Sequence, residues 1–250
     1  MITKIMLKDN IKKYLINLLS IMLILTFFIY AQIYSKKIGL FNNYEILVQG
    51  NKFVLKDDIK NSIESYLLPN YFSINLEEIK ASISTLEFVE IAQASLIFPN
   101  KLIINIIERE PIALVTIENK NYFIDKHAIL LSAKGNSINY FPVPIVNIKN
   151  TINYDTDLTI KIANIFQLLL SDYKLFYNQL SEVIIDENKW TFYSDSKTKI
   201  FASSKNLSNQ INILKAFEST VYPKRKLADY SYIDLRIPEQ IIVKEKNIKG

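Results

Sequence analysis

A run of about 20 residues without a charged side chain, from Tyr14 to Ile33, limits this chain more than anything else in it. As a helix it covers roughly 30 Å, the hydrocarbon thickness of a bilayer, and a core helix seldom needs so uniform a run. The expectation is a transmembrane helix at 14–34. Lys4, Lys8, Lys12 and Lys13 crowd its N-terminal side against the single Asp9, whereas Lys36 and Lys37 are the nearby charges beyond it. The positive-inside bias then keeps residues 1–13 in the cytoplasm and exports everything after Gly39. Tyr30 and Tyr34 suit the outer interface. A cleaved signal peptide would have a shorter apolar centre and small residues at the cut, and Ile29-Tyr30-Ala31 does not fit that pattern. Asn17, Ser20, Thr26 and Gln32 are read as tolerated polar groups.

The chain beyond the anchor is long enough for one large or two small domains. With 49% hydrophobic and 22% charged residues it can build a core and has no disordered signature. No cysteine is present, so an exported part must hold itself by packing, and thiol or zinc-thiolate chemistry is excluded. The formal charge of +5 partly reflects the N-terminal lysines. No basic stripe with interleaved aromatics points to nucleic acid.

Tyr44 to Gln49 reads as a strand closed by the turn pair Gly50-Asn51. A helix comes next, with Ile59, Ile63 and Leu67 at helical spacing, Asp57 and Asp58 at the positive end of its dipole, and Pro69 as its stop. The second helix has a start signal in Asn75, with Glu78 three residues on, before Leu76, Ile79, Ile83 and Leu86 on one face. The carboxylate pairs Asp57/Asp58 and Glu77/Glu78 therefore belong to helix starts and not to acid-base chemistry. From Glu90 to Phe98 the period changes to two, and Pro99-Asn100 turns the chain into a second β-rich run, Leu102 to Glu108. Strand, helix, helix, strand, strand predicts a three-stranded sheet with two helices on one face.

That order is the order of a POTRA domain. Val48-Gln49-Gly50-Asn51, then Val89, Ala92, Ala94, Pro99, Leu102 and Glu108-Arg109-Glu110-Pro111-Ile112-Ala113 resemble the bacterial division family FtsQ, called DivIB in Gram-positive bacteria. The resemblance continues through Phe123-Ile124-Asp125, Phe141-Pro142-Val143 and Ile233-Asp234-Leu235-Arg236. Ala128 and Asn147 stand near positions where the family usually has glycine, and Leu96 where arginine is common. The resemblance implies an α+β chain with a transmembrane helix, a POTRA domain at 43–111, a C-terminal β-rich domain at 112–246 and a tail at 247–250.

In the second domain, strands are expected at Ile112 to Glu118, Asn121 to Asp125, Ala128 to Ser132, Glu182 to Asp186, Lys189 to Tyr193, Lys199 to Ala202, Tyr230 to Arg236 and Gln240 to Lys246. Glu187-Asn188 suits a tight hairpin. Helices are expected near Leu158 to Leu170, with Leu158, Ile162, Ile165, Phe166 and Leu169 inward, and around Gln210 to Glu218, with Ile211, Leu214 and Phe217 inward. The sheet is expected to grow by successive hairpins. Trp190 reads as core. His127, the single histidine, lies in a polar turn and is read as solvated. No phosphate loop, histidine pair or nucleophile elbow appears, and no cofactor or metal is expected.

The reading is a non-enzymatic scaffold of the inner membrane with periplasmic domains. The resemblance implies FtsB and FtsL as partners of the second domain, and other divisome members through the anchor and POTRA domain. The alternatives are an accessory subunit of an envelope enzyme and a chaperone-like POTRA protein of outer-membrane assembly, although the latter carry a C-terminal barrel. Partner binding is expected at the last strand, beyond which only Asn247 to Gly250 remain, with Tyr232, Ile241, Ile242, Val243 and Lys244 as the contact residues. Unpaired backbone groups there can be completed by a partner strand, and the resemblance implies that FtsB supplies it. Ile242→Pro is expected to remove an outward donor with little loss of fold. Lys244, Glu245 and Lys246 can alternatively guard the edge against pairing.

Overall fold

The structure is a computed structural model that describes residues 2–37, 45–67, 74–118, 120–135, 137–149 and 155–246. Tyr44, Pro69 and the tail at 247–250 lie outside the described residues. Helix α1, Ile2–Lys37, is 36 residues long, and its segment Lys13–Ser35 is long and apolar enough to cross a membrane. No part of that segment is buried, and Leu, Ile and Phe face outward all round it. Such a helix has no polar side to turn to water. The chain divides into two units, residues 1–108 and 109–250.

In the first unit, β1 (Glu45–Gln49), α2 (Lys56–Ile63), α3 (Leu76–Ser84), β2 (Val89–Ile97) and β3 (Lys101–Glu108) keep the order expected from the sequence. β3 is central, parallel to β1 and antiparallel to β2. Ile59, Ile63, Ile79 and Ile83 are fully buried. α3 starts as its sequence predicts: the Asn75 side chain accepts from Glu77 N at 3.1 Å and donates to Glu78 Oε1 at 2.9 Å. α2 ends earlier than expected, in a 3-10 turn at Glu64–Tyr66, and this leaves Leu67 half-buried beyond the helix.

Two motif residues close the loop between β1 and α2. Gly50 has φ +83°, and a Cβ there would sit 2.1 Å from the Ile106 carbonyl oxygen, so only glycine fits. The Glu108 carboxylate accepts from the backbone N–H groups of Lys52 at 2.7 Å, Phe53 at 2.9 Å and Val54 at 2.8 Å. Three otherwise orphaned donors ahead of α2 are thereby satisfied by one side chain at the end of β3.

The second unit runs β4 (Pro111–Ile117), β5 (Lys120–Asp125), β6 (Leu130–Ser132), the short α4 (Ser137–Tyr140), β7 (Ile145–Ile148), α5 (Thr156–Asp172), α6 (Lys174–Gln179), β8 (Leu180–Asp186), β9 (Lys189–Ser194), β10 (Lys199–Ser203), α7 (Leu207–Val221), β11 (Tyr230–Asp234) and β12 (Ile242–Glu245). Its sheet has the order β12-β11-β10-β9-β8-β7-β4-β5-β6. Growth by successive hairpins is corrected here. β7 is parallel to both β4 and β8, and β10 is parallel to β11. The chain reaches β8 through α5 and α6, and β11 through α7, because parallel neighbours need a crossover. β7 gave no sequence signal, being four residues behind Pro142 and Pro144 with only Val146 buried.

α5 and α7 lay Ile162, Ile165, Phe166, Leu169, Ile211 and Leu214 over Val115, Val146, Val183, Trp190, Phe192 and Ile200 of the sheet. α5 is capped by Asp155, whose side chain accepts from Leu158 N at 2.8 Å. α7 begins three residues before its expected start, since Asn206 enters it at φ +55° with no side-chain cap bond to mark the place. Gln210 Oε1 accepts from Ser203 N at 2.8 Å and ties α7 to β10. Trp190 is core, as expected, and its Nε1 is the one buried side-chain polar atom lacking a partner among the described residues.

The turn after β5 is built on a buried ion pair. Asp125, 1% exposed, accepts from Arg109 Nη1 at 2.9 Å and from the backbone N–H groups of His127 at 2.9 Å and Ile129 at 2.8 Å. His127 itself is exposed. Ala128, where the family pattern has glycine, adopts φ +61°. With only four glycines, the chain puts Glu118, Glu187, Lys197, Asn206 and Glu239 at positive φ as well. Ala128→Gly relieves the Cβ strain and is expected to stabilise the second unit by about 1 kcal/mol, read as a higher urea midpoint of Trp190 fluorescence. An unchanged or lower midpoint would show that the turn carries no such strain.

Candidate partner-binding edge

The outermost strand β12 is positioned by β11, and β11 by a buried hydroxyl. Thr198, fully buried just before β10, places Oγ1 2.8 Å from the Tyr230 carbonyl oxygen and 3.0 Å from that of Leu227. Ile200 then lies opposite Ile233, and Leu235 N donates to Phe201 O at 2.9 Å. The chain turns back through Pro238 and Glu239, whose φ is +60°, and pairs Ile242 with Asp234, Val243 with Ile233 and Lys244 with Tyr232.

The direction of the free backbone groups is fixed by one bond. Lys246 N donates inward to Asp229 O at 2.8 Å. Backbone groups alternate along an antiparallel strand, so those of Lys244 and Ile242 also face β11. The outward N–H groups are therefore those of Val243 and Glu245, and of the two carbonyl oxygens that of Glu245 already accepts from the Ser231 hydroxyl of β11 at 3.2 Å. This corrects the role expected of Ile242→Pro, which would remove a bond to β11 and not an outward donor.

The expected contact residues do not form one surface. Ile242 and Val243 are exposed, at 39% and 38%, but on opposite faces of the sheet. Ile241 is half-buried against the core, contrary to its expected exposure, because it shares the helix face with Val243. Tyr232 sits on β11, inside the sheet, and presents only its side chain to the open face beside Lys244. Its ring packs 6.0 Å from that of Phe201. The guarding charges are mostly engaged by the chain itself: Glu245 pairs with Arg225 at 3.3 Å, and Lys246 Nζ donates to Ser196 O at 2.6 Å and Ala228 O at 2.7 Å. Lys244 alone of the three has no partner among the described residues.

Residues outside the expected set complete the edge. Arg236 lies 5.2 Å over the Phe201 ring and bonds the Asp234 carboxylate at 2.9 and 2.6 Å. Those guanidinium bonds hold the Asp234 carboxyl below its ordinary range and keep it charged. The pair lies two residues apart on one side of β11, a spacing visible in Asp234-Leu235-Arg236. A hollow of about 410 Å³ beside Ile213, Leu235 and Ile241 opens at the start of β12, and one of about 700 Å³ beside Leu175, Glu218 and Tyr222 lies toward its other end. Glu218, on the wall of the second, accepts from the hydroxyl of the buried Tyr173, and burial together with that carboxylate raises the phenol well above its ordinary value. No group of three or more His, Cys, Asp or Glu side chains able to hold a metal occurs among the described residues. The chemistry offered by the edge is main-chain hydrogen bonding flanked by apolar side chains.

Two family models match the chain. The POTRA domain, FtsQ-type, covers residues 41–109, and FtsQ/DivIB, C-terminal related, covers residues 110–243, more than half of the chain. The chain belongs to the FtsQ/DivIB family of cell division proteins. It is 25% identical over 114 residues to the cell division protein FtsQ of Koribacter versatilis, 46% of this chain and 33% of that one. It is 31% identical over 109 residues to the cell division protein DivIB of Clostridium tetani, 44% of this chain and 41% of that one. For the DivIB of Clostridium botulinum the figures are 27% over 216 residues and 80% of each chain. The first two relatives are thus matched over well under half of their own lengths. The solved extracytoplasmic domain of Geobacillus stearothermophilus DivIB, trans isomer, gives 17% identity and a TM-score of 0.33 over 48% of this chain and 98% of that one. As an FtsQ/DivIB chain, this one has the POTRA order in its first unit and the family's C-terminal sheet in its second.

Proposed function

We propose that this chain is a non-enzymatic scaffold of the division machinery in the inner membrane. On this reading residues 1–13 are cytoplasmic, 14–34 span the membrane, and a POTRA domain at 43–111 and a C-terminal domain at 112–246 lie in the periplasm. The second domain captures FtsB by strand addition to β12, with FtsL held alongside, and the anchor and POTRA domain reach other division proteins. The observation that carries this reading is β12: the last strand of a nine-stranded sheet, exposed at all four residues, with the N–H groups of Val243 and Glu245 turned away from β11. A strand laid there gains main-chain bonds for affinity, and Ile242 and Val243 offer it an apolar contact on each face.

The test is Val243→Pro in the full-length chain. It deletes an outward donor and no bond to β11, so co-purification of FtsB from membranes should be lost while Trp190 fluorescence stays native. Ile242→Pro is the contrasting variant, expected to loosen β12 itself. FtsB recovered with folded Val243→Pro at wild-type levels would move the site elsewhere, first to the surface of α7.

A further inference from the structure

The longest edge strand among the described residues lies in the first unit and not in the second. β2 is an edge of its sheet and, at nine residues, the longest strand among the described residues. Natural edges are kept short, bulged, or marked with lysine or proline to prevent pairing. β2 has a register irregularity only at its start, between Val89 and Ile91, and its one charged side chain, Glu90, falls in that irregular part. From Ile91 to Ile97 it is regular and uncharged.

The order within that segment is nearly palindromic about Ala94: Ile-Ala-Gln-Ala-Ser-Leu-Ile. An antiparallel neighbour related by a two-fold axis through Ala94 would set Ile91 against Ile97, Ala92 against Leu96, Gln93 against Ser95 and Ala94 against itself. Each pair matches in character and in face. Ile91, Gln93, Ser95 and Ile97 are exposed on the side away from α2 and α3, while Ala92, Ala94 and Leu96 are half-buried on the helix side. No like charges meet, since Glu90 falls opposite Phe98. Directly opposed side chains of this kind are the unit of sheet stabilisation.

We infer that β2 is a self-association edge, whose occupant is the β2 of a second copy of this chain, paired antiparallel about Ala94. The product is a six-stranded sheet in the order β1-β3-β2-β2-β3-β1 with both helix pairs on one side. The shared segment is short, and association draws on the high effective concentration of two copies tethered in one membrane by α1. The inference does not depend on what β12 binds.

The cysteine-free sequence makes the test direct. Full-length chains carrying Ala94→Cys, in their native membrane, are oxidised and run without reductant. On the axis, the Cβ atoms of opposed residues lie about 4.5 to 5.5 Å apart, close to what a disulfide spans, so a covalent dimer is expected. Gln93→Cys alone and Ser95→Cys alone do not face themselves and should cross-link severalfold more slowly. Gln93→Cys and Ser95→Cys chains expressed together should give the mixed dimer. Adding Gln93→Glu and Ser95→Glu to Ala94→Cys sets carboxylates against each other at exposed positions and should abolish the product without unfolding the chain. Equal cross-linking at all three single positions, or a product that survives the added charges, overturns the inference. So does an Ala94→Cys chain that a thiol-to-amine reagent joins to a different protein with no self-product, which would assign the edge to a heterologous strand.

Discussion

Truncating Ile83 to alanine is expected to cost the first unit about 2 to 5 kcal/mol, a large share of what so small a domain has. Ile83 is fully buried on α3, one turn from Ile79, in a layer that also holds Ile59 and Ile63 of α2 and Leu102 and Ile104 of β3. Removing three carbons there leaves a cavity that two short helices have little freedom to close. Hydrogen exchange of the β3 amides in the full-length chain should accelerate toward that of exposed amides. Trp190, the single tryptophan, lies in the other unit, and its unfolding transition should not move. Unchanged exchange in β3 would mean that Ile83 does not carry the packing assigned to it.

The second large effect is expected at Asp125→Ala. The variant leaves the Arg109 guanidinium, 21% exposed, without its carboxylate, and removes the side-chain acceptor of the His127 and Ile129 N–H groups. Breaking such a pair from one side costs about 3 to 5 kcal/mol, because the remaining charge stays in a poorly solvated place. The urea midpoint of Trp190 fluorescence should fall sharply. Adding Arg109→Met to Asp125→Ala should recover part of the loss, since the stranded charge is then gone. An Asp125→Ala chain that unfolds at the wild-type midpoint would sink the assignment.

Arg109 and Asp125 are visible in the sequence as family motif, but their pairing is not. The resemblance picks out Gly50 and Glu108 as well by their order, and no local pattern says that Glu108 reaches back to the amides of Lys52, Phe53 and Val54. Periodicity and the Asn75 cap locate α3, and periodicity alone locates α5, which starts at Thr156 behind the Asp155 cap, two residues before its expected start. The start of α7 and the strand β7 stay hidden, one entered through a left-handed residue without a cap bond and the other too short to show a period. The parallel pairings are equally hidden, since strand periodicity is the same in either direction and only the tertiary crossover chooses between them. At the edge, alternation places Ile233 and Leu235 inward correctly, and both are buried. Which amide of β12 points outward depends on its register with β11, fixed by the bond from Lys246 to Asp229, and that register is not written in the strand itself.

The parallel step from β10 to β11 has a consequence for the order in which the chain acquires its edge. β12 can be laid down only on β11, and β11 only after α7 has carried the chain back over the sheet to lie beside β10. Both are the last strands of the described chain to leave the ribosome. A nascent or misfolded domain whose core has not closed over Ile200 and Ile233 therefore has no β12 edge to present. The β12 edge is thus exposed only by a chain in which β10, α7 and β11 are already in place.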